Sequence, residues 1–125
     1  LGPGAGISCQ NASPTIVNCI IRENETDTSP SQIYAVDSDP TIVHCNIEGG
    51  YPGEGNIDAD PLFTAPDDGD LTLGAGSPCI DAADGDAAPE TDIDGNPRAD
   101  DPDTADTGVG AITYADIGAF EYQPD

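Results

Sequence analysis

One phrase occurs twice in this chain, and it limits the fold more than any compositional total. Residues 13–21, SPTIVNCII, return at residues 39–47 as DPTIVHCNI; Pro14 is answered by Pro40 and Cys19 by Cys45, an offset of 26 residues. Self-similarity at a period of roughly 20–50 residues marks a repeat architecture, in which each copy buries a face against its neighbour. Helical repeats need about ten or more residues of 3.6-residue periodicity per helix, and neither copy supplies them. Each copy is instead a few β-branched residues bounded by Pro, Asn, Ser and Asp, which reads as a short strand between turns. Short strands stacked once per period describe a β-solenoid.

The flanking residues extend this reading. Ile7-Ser8-Cys9 reads as a strand before the first copy, and Tyr34-Ala35-Val36 as its counterpart, with the turn before Pro40 one or two residues shorter. Ile16 and Ile21 are expected to point inward, with a bend near Asn18 and Cys19. His44, in the repeat position of Asn18, reads as a turn residue. After a break at Gly49-Gly50-Tyr51-Pro52-Gly53, Asn56-Ile57-Asp58 is expected to open a third coil. Asp70-Leu71-Thr72-Leu73 alternates as a strand does, and residues 76–82 read as a turn and a strand. Residues 84–108 read as a long loop, and Ile117–Tyr122 as a segment that folds back to cap the solenoid. The expected organisation is one domain: an arm over residues 1–6, coils over 7–82, and an acidic loop and cap over 83–125.

Charge narrows the function. Among 125 residues, 25 acids face only Arg22 and Arg98; there is no lysine, and the net charge is −23. Binding nucleic acid requires a basic face, so that class is set aside, and anionic membrane surfaces are disfavoured for the same reason. No run approaches the ~20 apolar residues of a membrane span. The acids are uneven, 7 in residues 1–56 and 18 in residues 57–125. Such a surplus is either simply hydrated or neutralised by cations, and calcium is the hard cation that suits oxygen ligands. A chain opening on Leu1 without a signal-like segment reads as a processed piece of a longer precursor. Four cysteines, Cys9, Cys19, Cys45 and Cys79, fit an oxidising extracellular setting and allow three disulfide connectivities. With Cys45 stacked on Cys19, a bridge and a pair of stacked thiols both remain open.

Candidate sites follow from spacing. Asp92, Asp94 and Asn96 place oxygen side chains at alternate positions around Gly95, half of a calcium loop that Asp116 and Glu121 would complete from the tail. The competing reading is a structural turn, with Asp116 capping a turn and Glu121 paired to Arg98. Asp81, Asp84 and Asp86 read as a solvated loop; Asp100, Asp101, Asp103 and Asp106 read as a charged loop able to hold loose cations. An elimination mechanism wants a basic residue grouped with carboxylates, and an acid–base mechanism wants more than the single His44, so the expectation is no enzyme. The scattered aromatics offer no sugar platform. Asn24-Glu25-Thr26 is a sequon, relevant only in a host that glycosylates asparagine.

The repeated phrase resembles the coils of right-handed parallel β-helix repeat proteins. NIDADPLF (56–63), DLTLGAGSPCIDA (70–82), DIDGNPR (92–98) and DIGAFEY (116–122) together resemble the C-terminal end of bacterial secreted or surface β-helix proteins. The resemblance implies an all-β fold, a short right-handed parallel β-helix of about three coils with an irregular acidic C-terminal cap. It also implies an extracellular or cell-surface location. The expected function is a non-enzymatic structural module that self-associates head to tail through exposed coils and can build filaments, with glycans as further partners. The alternative is the C-terminal fragment of a larger carbohydrate-active (polysaccharide lyase or hydrolase-like) or adhesive surface protein.

Overall fold

The computed structural model describes residues 5–25 and 32–125. The chain places its two repeat copies side by side. Strands β1 (Ile7–Gln10), β2 (Thr15–Val17) and β3 (Ile20–Ile21) form the first copy; β4 (Ile33–Val36), β5 (Thr41–Val43) and β6 (Asn46–Ile47) form the second. β1 pairs with β4, β2 with β5 and β3 with β6, all parallel, and Ile7↔Ile33, Thr15↔Thr41 and Ile20↔Asn46 keep the 26-residue offset throughout. The turn before Pro40 is therefore as long as the turn before Pro14, not shorter. Corners repeat as faithfully as strands do: left-handed backbone occurs at Asn11 and Asp37, at Asn18 and His44, and at Glu23 and Gly49. Asn, Asp, His and Gly tolerate that region better than other residues, which accounts for His44 standing where Asn18 does.

The expected three-coil β-helix is not formed. Beyond β6 the repeat contributes only an isolated parallel bridge, Asn46↔Ile57. The chain then leaves the repeat phase for an antiparallel ribbon of β7 (Phe63–Ala65) and β8 (Asp70–Leu73), turned by a 3-10 segment at Pro66–Asp68. Among the described residues the result is four two-stranded sheets with neither a solenoid nor a closed sheet. The physical reason lies in residues 53–59. Asn56 uses its side chain as a strand would use its backbone: its Oδ1 accepts from Cys45 N–H (3.0 Å) and its Nδ2 donates to the Ile42 carbonyl (2.8 Å). His44 N–H donates to the Glu54 carbonyl, Ile47 N–H to the Ile57 carbonyl, and Ile57 N–H to the Cys45 carbonyl. The outer edges of β5 and β6 are thus taken up by a loop, which leaves them no register for a third copy.

Gly53 lets this loop approach. A methyl group on it would fall 1.9 Å from the Ile42 carbonyl oxygen, backbone against backbone. Gly53→Ala is expected to destabilise the chain by about 1–3 kcal/mol, the usual cost of overpacking. Urea unfolding measures it, and a variant as stable as the parent would mean the loop does not close on β5.

Two cores result. Ile21, Ile33, Ile42, Cys45 and Ile47 fill the space between the repeat copies, with Ile16 half-buried beside them. Leu73, Cys79, Ile80, Ala82, Ala83, Ala115 and Ile117 make the second, against which Ile20 and Phe63 pack. Residues 76–82 enter that core as successive turns, without the expected strand. The tail does fold back: Ile117 N–H donates to the Cys79 carbonyl and Gly118 N–H to the Asn18 carbonyl, tying the C-terminus to the first copy. Among the described residues no helix is long and apolar enough to cross a membrane.

Candidate functional site

The two tail motifs meet in a knot of carboxylates. Asp92 Oδ1 accepts from the Asp94 and Asn96 amides (2.9 and 2.8 Å), and its Oδ2 accepts from Asn96 Nδ2 and the Glu121 amide (3.2 and 2.9 Å). Asp116 accepts from the Asp81 amide through Oδ1 (2.8 Å) and from the Tyr122 amide through Oδ2 (2.6 Å). Glu121 accepts from the Ala99 amide through Oε1, and from Arg98 Nη1 (2.7 Å) and the Asp116 amide through Oε2. Of the five residues read as calcium ligands, Asp92, Asn96, Asp116 and Glu121 share this network, and Asp94 enters it through its backbone. All six oxygens of the three buried carboxylates already hold an internal donor. The geometry is that of the competing reading, a turn closed by an Arg98–Glu121 ion pair.

Burial pushes Asp92 upward, but the Glu121, Asn96 and Asp94 donors outweigh it and hold its carboxyl below the usual range. Asp116 goes the other way. Burial, joined by the negative Glu121 and Asp81, raises it to about 7 against the pull of its two amides.

A second acidic group joins Asp81, which the sequence placed in a solvated loop, to the charged loop read as able to hold loose cations. Oxygens of Asp81, Asp100 and Asp106 lie within 4.8 Å of one another. Asp81 is 0 % exposed, flanked by buried Ile80 and Ala82. Its backbone is clamped at both ends: the N–H donates to Asp116, and the carbonyl accepts from Thr107 and Gly108 N–H (2.9 Å each). Its Oδ2 accepts a long bond from the Asp101 amide (3.3 Å), whereas its Oδ1 meets no donor. Burial first, then the charges of Asp106, Asp100 and Asp101, raise Asp81 to about 6. Neither arginine relieves this charge. Arg22 binds Asn46 and Asp58, and Arg98 binds Pro89 and Glu121. The signal was present in the sequence: Asp81 interrupts the apolar run Cys79–Ala83, an unusual place for a solvated acid.

The four cysteines are free thiols. Cys45 is fully buried and its thiol donates to the Val43 carbonyl (3.2 Å), while the thiol of exposed Cys19, one repeat away, donates to the Val17 carbonyl (3.2 Å); the influence of each thiol on the other lowers Cys19 to about 6 and raises Cys45. Cys9 stands in register with Ala35, and Cys79 accepts from Asn46 Nδ2 (3.2 Å), so stacking joins only the central pair. Cys19 also lines an open groove of about 940 Å³ between the first copy, the β7–β8 ribbon and the tail, with Leu62, Phe63 and Leu71 along its wall. Asn24 is exposed, but its side-chain amide donates to Gln32 Oε1 (2.8 Å); Thr26 of the sequon and the arm's residues 1–4 lie outside the described residues. His44 is buried with Nδ1 against the Ala82 carbonyl (3.4 Å).

No protein-family model, no curated protein and no solved structure matches this chain. The likeness to β-helix surface proteins rests on its sequence motifs alone.

Proposed function

We propose that the chain is a non-enzymatic structural module of the extracellular or cell-surface space that self-associates through the open edge of its first repeat copy. The observation that carries this reading is that edge. In a parallel pair, alternate residues turn their backbone groups toward the partner strand. Ile7 and Asn11 N–H reach the Gln32 and Val36 carbonyls, so Ser8 and Gln10 turn theirs away from β4, and both are exposed. Among the described residues no strand pairs with the outer side of β1 or β2.

Proteins normally blunt such an edge with charge, proline or a cover. β1, β2 and β3 contain no charged residue and no proline. The acid surplus sits mainly in the other half of the chain, so this edge is where two copies meet least repulsion. The outer edges of β5 and β6 are occupied by residues 53–59, so those two strands offer no mate for a head-to-tail contact. The matching surface is the same edge of a second copy, a self-complementary contact that closes as a dimer. Four residues of edge make a small interface, so the dimer is weak.

Gln10→Pro tests it, since proline is tolerated where the N–H faces outward but cannot extend the sheet. Light scattering and negative-stain microscopy should show the parent gaining mass with concentration to a dimer, with the variant remaining single and equally folded by circular dichroism. A parent that is monomeric at every concentration would sink the proposal and favour a fragment of a larger carbohydrate-active or adhesive protein, whose upstream chain covers the edge.

A further inference from the structure

We propose that Asp81, Asp100 and Asp106 form a divalent-cation site that takes calcium. The site stands apart from the edge contact and adjoins the Asp92–Asp116–Glu121 knot through the Asp81 N–H, but its carboxylates are not those of the knot, whose oxygens already hold internal donors. Three features carry it. Three carboxylates from two separate segments bring oxygens within 4.8 Å of one another. Asp81, fully buried, keeps Oδ1 without a donor. A buried carboxylate normally finds a donor or a counter-charge, and an orphaned oxygen marks where one belongs. No side-chain cation among the described residues is shown to meet it: both arginines are engaged elsewhere, and the chain contains no lysine.

The donor set selects the ion. It is all oxygen, which suits hard cations and disfavours zinc and copper. Calcium holds oxygens at ~2.3–2.6 Å in irregular geometry and so spans pairs up to about 5 Å apart, whereas magnesium at ~2.0–2.1 Å demands a tighter octahedron and keeps its waters. The surroundings are pre-arranged. Asp101 accepts from the Asp103 amide and the Thr104 hydroxyl, pinning the loop between Asp100 and Asp106, and Thr113 Oγ1 donates to Asp106 Oδ2. An ion here cross-links residues 100–106 to Asp81 in the second core, supplying cohesion that this stretch lacks as secondary structure.

The test uses CaCl2, with MgCl2 at equal ionic strength, on the whole chain and on Asp100→Asn and Asp106→Asn, both at exposed positions that leave the core intact. Titration calorimetry should show one calcium per chain, and saturation should raise the melting temperature by about 5 °C or more, with magnesium giving far less. Each variant should bind at least tenfold more weakly and lose most of the thermal gain, while melting in EDTA no lower than the parent. No heat of binding and no calcium-dependent shift would overturn the site. An equal shift in parent and variants would also overturn it, since that is diffuse screening of a chain carrying −23.

Discussion

Arg98→Ala is expected to be the most damaging single substitution in the chain, lowering stability by about 3–5 kcal/mol in urea unfolding. The Arg98 side chain is 8 % exposed and that of Glu121 0 %, and they meet at 2.7 Å. Removing the guanidinium leaves a buried carboxylate with only the Ala99 and Asp116 amides, in a knot that also holds Asp92 and Asp116. It also removes the Nε donor from the Pro89 carbonyl, an exposed bond that water can replace. The cost is that of an uncompensated buried charge rather than of a surface pair. Arg98→Lys keeps the charge but not the second donor, and should fall between the parent and alanine. A loss below about 1 kcal/mol for the alanine variant would mean that solvent reaches this pair.

The second large effect is on pH. In EDTA the melting temperature is expected to peak near pH 4–5 and to fall by about 5–10 °C toward pH 7.5. Asp81 and Asp116 are raised from 3.8 to about 6 and about 7, so the folded chain holds those protons more tightly than the unfolded one. The stability they contribute is fully present below pH ~4 and is lost as pH rises through 6 and 7. Growing net repulsion in so acidic a chain acts in the same direction. Asp92, Asp58 and Asp70 are lowered and act oppositely; their contribution is present above pH ~4 and lost as pH falls below it, which sets the acid side of the peak. Calcium should flatten or reverse the neutral limb, because it binds Asp81 only once that carboxyl has lost its proton. Thermal unfolding by circular dichroism from pH 4 to 7.5 decides it, and a steady rise in EDTA would contradict the burial of both groups.

Local chemistry made part of this legible. The doubled TIV-x-C phrase announced the parallel pairing and its offset, because β-branched residues between turn formers have few alternatives. Asn18 and His44 marked the bend, Asp70–Leu73 showed its alternation, and the inward Ile21 and the returning tail followed from apolar pattern. What failed depended on contacts between distant residues. Asn56-Ile57-Asp58 looks like the start of a coil, yet its role is set by Asn56 bonding to Ile42 and Cys45 and by Gly53 seating against Ile42. The tail acids divided in a way spacing could not show. Asp92 and Glu121 became acceptors for amides 29 residues or fewer away, while Asp81, in a stretch that reads as hydrated, is buried by a loop some 20 residues onward. The three-coil helix that the family resemblance implied does not form, because motifs signal neighbours and not how many coils follow.

Edge pairing is the claim on which the function turns, and sedimentation equilibrium tests it most directly. The parent and Gln10→Pro would be spun across a wide concentration range at about 0.15 M salt, where surface repulsion is largely screened. Isologous pairing through β1 predicts a parent mass climbing from one chain toward two and stopping there, with the variant fixed at one. A parent that stays at one chain throughout, or a variant that associates as well as the parent, would contradict it.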